Sequence, residues 1–151
     1  SPQRVPVPIM LIGASSHIIY EPKGVVLVIA PWNFPLLLTL GPVASAIAAG
    51  NCVTIKPSEL TPHTSALMGK LIREIFPENE VAIFEGDAEV AKTLLDLPFN
   101  HIFYTGSPAI GKVIMAAAAK NLASVTLELG GKSPTIIDET ANLDLAVGRI
   151  A

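Results

Sequence analysis

From Gly24 to Ile55 the chain carries no charged residue. A stretch of that kind has to leave water, either into lipid or into the core of a domain. Its punctuation decides between the two. Pro31, Asn33, Pro35 and Pro42 interrupt it, and Gly41, Gly50 and Asn51 break it further, whereas a membrane helix needs about 20 consecutive apolar residues. The apolar pieces also differ in kind. Val25-Val26-Leu27-Val28-Ile29 is short and β-branched, as a strand buried on both faces should be. Leu36 to Ala49 is richer in Leu and Ala, as a buried helix should be. The stretch therefore reads as the first strand and helix of a sheet covered on both faces, and the membrane reading is set aside.

The rest of the chain continues the alternation. Cys52–Lys56 reads as a strand and Pro62–Phe76 as a helix, with Thr61 as its cap and Leu67, Leu71 and Ile75 as its inward stripe. Val81–Glu85 is a strand, and Asp87 can cap a short helix through Asp96. His101–Tyr104 is a strand, Pro108–Lys120 a helix capped by Ser107, and Ser124–Leu129 a strand. Thr135–Asp138 reads as extended, and Leu143, Ala146, Val147 and Ile150 mark a last helix. Ahead of all this, Pro2, Pro6 and Pro8 suggest an extended lead-in, and Ile9–Ile12 and His17–Tyr20 read as two strands around a turn at Gly13–Ser16. The expectation is an α/β fold: a Rossmann-like parallel sheet with helices on both faces, plus an N-terminal β-hairpin arm. The arm takes residues 1–23 and the sheet domain 24–151.

Composition narrows the function classes. Half of the 151 residues are hydrophobic and 15% are charged, too apolar for a disordered chain. The net charge is −3, with no basic block, so a nucleic-acid surface is not expected. The one cysteine, Cys52, excludes an internal disulfide framework and a Cys-based zinc cluster, fits a reducing compartment such as the cytoplasm, and is expected to pack as a small hydrophobe. His17, His63 and His101 lack ligand spacing, so no metal site is expected. No signal peptide is read after Arg4, and the missing initiator Met suggests an excised piece of a longer chain.

In a parallel sheet, ligands bind beyond the carboxyl ends of the strands, and the polar residues of this chain gather there. Asn33, in a stiff loop between prolines, has an amide suited to an oxyanion, or to bonding its own turn. Lys56 and Glu59 follow the second strand, where an acid accepts ribose hydroxyls; a solvated surface pair is the plainer reading. Gly86 closes the third strand. Gly106-Ser107-Pro108-Ala109-Ile110-Gly111 opens a helix directly after a strand, a place for a pyrophosphate or simply an ordinary turn. Glu128, alternating with Leu127 and Leu129, faces away from them. It suits a general base whose pKa burial raises, or a rim carboxylate paired with Lys132.

Pro31–Pro35 (PWNFP), Gly50–Glu59 (GNCVTIKPSE), Phe103–Gly111 (FYTGSPAIG) and Leu127–Pro134 (LELGGKSP) together resemble the aldehyde dehydrogenase superfamily, in its class 3-like branch that includes coniferyl aldehyde dehydrogenases. The resemblance runs from about Pro8 to Ala151. It implies NAD(P)-dependent oxidation of an aldehyde to a carboxylate through a cysteine thioester, with NAD first and NADP as the alternative, and a homo-oligomer. The nucleophilic cysteine is expected beyond Ala151, leaving this chain alone inactive. By the same resemblance Asn33 steadies the oxyanion and Glu128 activates the deacylating water. Trp32, Lys56, Glu59, Gly86, Thr105, Gly106, Ser107, Gly111 and Leu129 are implied to contact cofactor, although Val90 stands where relatives often carry a second glycine. A stand-alone nucleotide-binding module without catalysis is the alternative, and a CoA-acylating relative a further one.

Overall fold

A computed structural model describes residues 2–150. Five parallel strands form one sheet: β3 (Val25–Ile29), β4 (Cys52–Lys56), β5 (Val81–Ile83), β6 (His101–Gly106) and β7 (Ser124–Leu129), in the order β5-β4-β3-β6-β7. Chain order runs outward from β3 to β5, then returns to the other side of β3 for β6 and β7. The strand order thus reverses between β3 and β6, which opens a crevice at their carboxyl ends.

The sheet is covered on both faces, as its apolar strands require. In β3, Val26 and Val28 point one way, to a core with Val53, Ile55, Met68 and Ile72. Leu27 and Ile29 point the other way, to a core with Ile102, Tyr104, Leu94 and Ile114. The first face is roofed by α1 (Leu37–Ala48) and α2 (Pro62–Ile75), the second by α3 (Ala88–Leu95) and α4 (Pro108–Lys120). A final helix, α5 (Leu143–Ile150), buries no residue. No described helix is long and apolar enough to cross a membrane.

Several local expectations are corrected. The N-terminal hairpin exists, but β1 (Gln3–Val5) pairs with β2 (Ser16–Ile18), Gln3 opposite Ile18. Ile9–Leu11 is a 3-10 turn instead of a strand, closed by the Leu11 amide on the Pro8 carbonyl at 2.8 Å. The prolines at 6 and 8 explain this: neither can donate to a ladder, so pairing falls to the residues before them. On α2 the inward stripe is Ser65, Met68, Gly69 and Ile72; Leu67, Leu71 and Ile75 are exposed. The small residues lie on this face, where a Cβ on Gly69 would meet the Glu85 carboxylate at 2.5 Å, just past the end of β5. Thr61 stands at the helix start without capping it, its hydroxyl donating to the Ser58 carbonyl at 3.4 Å. Cys52 is exposed at the first residue of β4 and does not pack in the core. Thr135–Asp138 forms no strand; Asp138 instead accepts from the Thr140 amide and hydroxyl, and these bonds hold its carboxyl below the usual range.

Candidate functional site

The crevice at the β3–β6 reversal is a cavity of about 920 Å³, large for a small-molecule site and suited to an extended ligand. Its floor is the ends of β3, β4, β6 and β7. Asn33 and Trp32 stand in the loop after β3, Lys56 and Glu59 after β4, Thr105, Gly106 and Ser107 at the turn into α4, and Glu128 and Leu129 at the end of β7. Gly86 and Gly111 are not on its wall.

The loop after β3 owes its form to local rules. Phe34 sits at φ 49°, a left-handed conformation unusual for a bulky residue. The helix then starts: Leu38 N–H donates to Phe34 O at 3.0 Å, and the fully buried Thr39 hydroxyl to Pro35 O at 2.6 Å. These ties leave the Asn33 side chain exposed on the cavity wall, so it is not bound into its own turn.

At the β4 end, Lys56 is buried, and its Nζ lies 2.6 Å from Glu59 Oε2, a carboxylate whose side chain is 45% exposed. The Lys56 hydrogen bond, then a backbone bond, holds the Glu59 carboxyl below its usual range. The pair is therefore half-buried and directional, with open carboxylate lone pairs toward the cavity, and is not a solvated surface pair. Ser58 also lines this end; its carbonyl takes the Ser65 hydroxyl at 2.8 Å.

The turn into α4 spends most of its donors inside the chain. Pro108 has no N–H, the Ile110 amide donates to Ser107 Oγ at 3.4 Å, and the Gly111 amide to Ser107 O at 2.9 Å. The Ser107 amide donates to the Tyr104 hydroxyl at 3.0 Å. Ser107 itself lines the cavity, and its hydroxyl keeps a proton to donate. Gly111 packs instead of binding: a Cβ there would lie 3.2 Å from Leu129 Cδ2, so it sets the closeness of α4 to β7. Gly86, at φ 145°, closes onto Val90, whose Cβ would lie 3.2 Å from an added Cβ.

Glu128 reaches the cavity but is exposed, without the apolar enclosure expected around it and with no ion pair to Lys132 among the described residues. Tyr104, Ala88 and Ala91 also line the site and were missed in the sequence. A tyrosine at the end of an apolar strand carries no signal in the sequence that its hydroxyl belongs to the turn that follows. No cluster of His, Cys, Asp or Glu able to hold a metal occurs among the described residues.

A doubly wound parallel sheet with a polar cleft at its switch point is the α/β arrangement in which ligands bind beyond the carboxyl ends of the strands. The family follows from comparison: residues 3–151 match the aldehyde dehydrogenase family, and the chain belongs to it. It is 49% identical over 148 residues to 4,4'-diaponeurosporen-aldehyde dehydrogenase of Staphylococcus aureus, covering 98% of this chain and 32% of that protein. It is 52% identical over 134 residues to coniferyl aldehyde dehydrogenase of a Pseudomonas species, covering 89% of this chain and 28% of that one. Among solved structures, the substrate-bound Staphylococcus aureus AldH matches with a TM-score of 0.95 at 48% identity, over 98% of this chain and 32% of its own. A Mycobacterium tuberculosis aldehyde dehydrogenase complexed with NAD+ matches at 0.86 and 33% identity, over 97% of this chain and 30% of its own. The chain thus spans about a third of the length of the relatives it matches.

Proposed function

We propose that the cleft holds NAD, with NADP as the poorer alternative, and that the whole protein oxidises an aldehyde to a carboxylate. The observation that carries this reading is one cavity bringing together four chemistries: Glu59 held by Lys56, the Ser107 hydroxyl, the Asn33 amide and the Glu128 carboxylate. These fit a dinucleotide. Glu59 accepts from ribose hydroxyls, and its negative charge disfavours a 2′-phosphate; Ser107 donates to pyrophosphate; Trp32, Thr105 and Leu129 border the remainder. Gly86 and Gly111 act from behind, by shaping the wall. A relative solved with NAD+ makes this the favoured cofactor.

NAD, when bound, accepts hydride from the substrate carbon. The nucleophile is a cysteine thiol supplied beyond residue 151. Asn33 donates its amide hydrogen to the oxyanion that forms when the thiol adds to the aldehyde carbon. Glu128 takes a proton from the water that cleaves the resulting thioester, releasing carboxylate and thiol. Its exposure in this chain leaves room for that water. The arm of residues 1–23 supports assembly as a homo-oligomer, and the single cysteine a cytoplasmic setting.

In the whole protein Glu128→Gln tests the reading. A glutamine cannot take the water's proton, and loss of a general base costs about 10²–10⁴ in rate. The expected record is a burst of NADH near one equivalent per site, followed by slow turnover. Burst and steady rate both equal to those of the unmodified protein would remove Glu128 from the mechanism. In the same protein Glu59→Gln is expected to narrow the preference for NAD over NADP, and an unchanged affinity ratio would place Glu59 away from the ribose.

A further inference from the structure

Tyr104 is buried, and its ring packs in the core on the α3–α4 face of the sheet. Its hydroxyl emerges at the turn after β6 and accepts the Ser107 amide at 3.0 Å. The same side chain occupies the space beside Gly106: an added Cβ there would lie 2.6 Å from Tyr104 Cζ and would also meet the hydroxyl. Gly106 is thus a glycine because of Tyr104, whatever the cleft contains. With the Ser107 amide and carbonyl both engaged and its Oγ accepting from Ile110, the hydroxyl proton is the donor left to Ser107, a residue that lines the cavity.

We propose that Tyr104 is a positioning residue for the pyrophosphate of a bound dinucleotide: its phenol locks the Gly106–Ser107 turn so that the Ser107 hydroxyl is presented to the phosphate oxygens. The proposal rests on the cofactor reading above and extends it to a residue whose ring belongs to the core. The phenol accepts from an amide at the helix start that would otherwise be a free donor, and so exchanges that donor for a fixed turn. The gain is preorganisation: the turn is ordered before the ligand arrives, so binding does not have to order it.

Tyr104→Phe in the whole protein keeps the ring and removes the bond. Calorimetric affinities are compared for NAD, ADP-ribose and adenosine, the last without phosphate. The expected result is a loss of about fivefold for NAD and ADP-ribose, the scale of one hydrogen bond, with adenosine changed less than about twofold. Hydrogen exchange of the unliganded protein supplies the independent readout. The Ser107 amide is expected to exchange at least about tenfold faster in the variant, while Ile114 and Ala118 in mid-α4 keep their protection. General destabilisation would speed all three amides and weaken all three ligands together, and that pattern overturns the proposal. So does an unchanged Ser107 exchange rate, or equal affinities in both proteins. If the unmodified protein binds neither NAD nor ADP-ribose, the cofactor reading falls and the proposal with it; if it does and Tyr104→Phe binds them equally, the Tyr104 proposal alone falls.

Discussion

Removing the carboxylate of Glu59 is expected to cost more stability than removing the lysine it serves. Lys56 has a side chain only 4% exposed, and its partner in the structure is Glu59 at 2.6 Å. Breaking a fully buried pair from one side costs about 3–5 kcal/mol, because a charge is left without compensation. Glu59 is 45% exposed, so water reaches the site and the lower end applies. Glu59→Leu should cost about 3 kcal/mol. Glu59→Gln, which keeps an oxygen for the ammonium, should cost about 1–2 kcal/mol. Lys56→Met leaves no buried charge and should cost less than about 1.5 kcal/mol, and adding it to Glu59→Leu should restore part of the loss. For a chain of this length each kcal/mol moves the midpoint by roughly 2–4 °C.

Urea unfolding of the unmodified protein and the four variants at pH 7 measures these differences, and a pH series adds a sign. The Glu59 carboxyl is held below its ordinary 4.5 in the folded state, first by the Lys56 hydrogen bond. Its contribution is therefore complete above that value and is lost as pH falls through the lower folded value. The gap between the unmodified protein and Glu59→Gln should close in that acidic window. Equal costs for Glu59→Leu and Lys56→Met, or a gap that stays constant below pH 4.5, would refute the argument that the lysine is stranded.

Three further outcomes follow from single sites. Gly86→Ala should destabilise by about 1–3 kcal/mol in urea unfolding, because φ is 145° and Val90 closes the space; Val90→Ala should recover only the steric part. Thr39→Val should cost about 1–3 kcal/mol by leaving Pro35 O unpaired, and Thr39→Ser should restore most of it, since the fully buried hydroxyl donates there at 2.6 Å. His101 is held below its ordinary 6.5 by burial and then by Lys23, and its ring contacts the Ser124 and Thr126 hydroxyls. The unfolded chain therefore binds that proton first, so stability should fall as pH drops below about 6.5, and His101→Asn should flatten the slope.

The fold was legible where one side-chain pattern allowed one answer. Val25–Ile29 and Cys52–Lys56 are short β-branched runs beside helices, and both became neighbouring parallel strands, Val25 opposite Cys52. The choice among equal patterns was not legible. Helix α2 offers two apolar stripes, Leu67-Leu71-Ile75 and Met68-Ile72, and periodicity cannot rank them. The small residues Ser65 and Gly69 lie buried beside the second, with no room at Gly69 for a Cβ against the Glu85 side chain, so the information lay in what was missing from the side chains. The hairpin formed, but its first strand lay elsewhere for a related reason: the apolar run Ile9–Ile12 has strand composition, but Pro6 and Pro8 move the pairing to Gln3–Val5. At the site, the polar residues at the strand ends were legible because topology alone sends them to one edge, while the exposure of Glu128 was not, since enclosure depends on parts of the fold outside its own strand.

The glycines of the cleft carry the last step. Read as a motif, Gly86, Gly106 and Gly111 suggest backbone bared to a ligand. In the structure each answers to a side chain behind it: Gly86 to Val90, Gly106 to Tyr104, and Gly111 to Leu129 and Leu127. At Gly106, on the cavity wall, and at Gly86, off it, the close approach is to Tyr104 of the core and to Val90, which packs against it. A turn pressed onto packed side chains has little freedom to move, because protein interiors are dense and resist small displacements. Its Ser107 hydroxyl is consequently placed by the same contacts that hold α4 to the sheet. Stability and recognition share atoms at this turn, and a substitution as small as the oxygen of Tyr104 separates them: it leaves the core volume intact and removes the one bond that runs from the core to the turn.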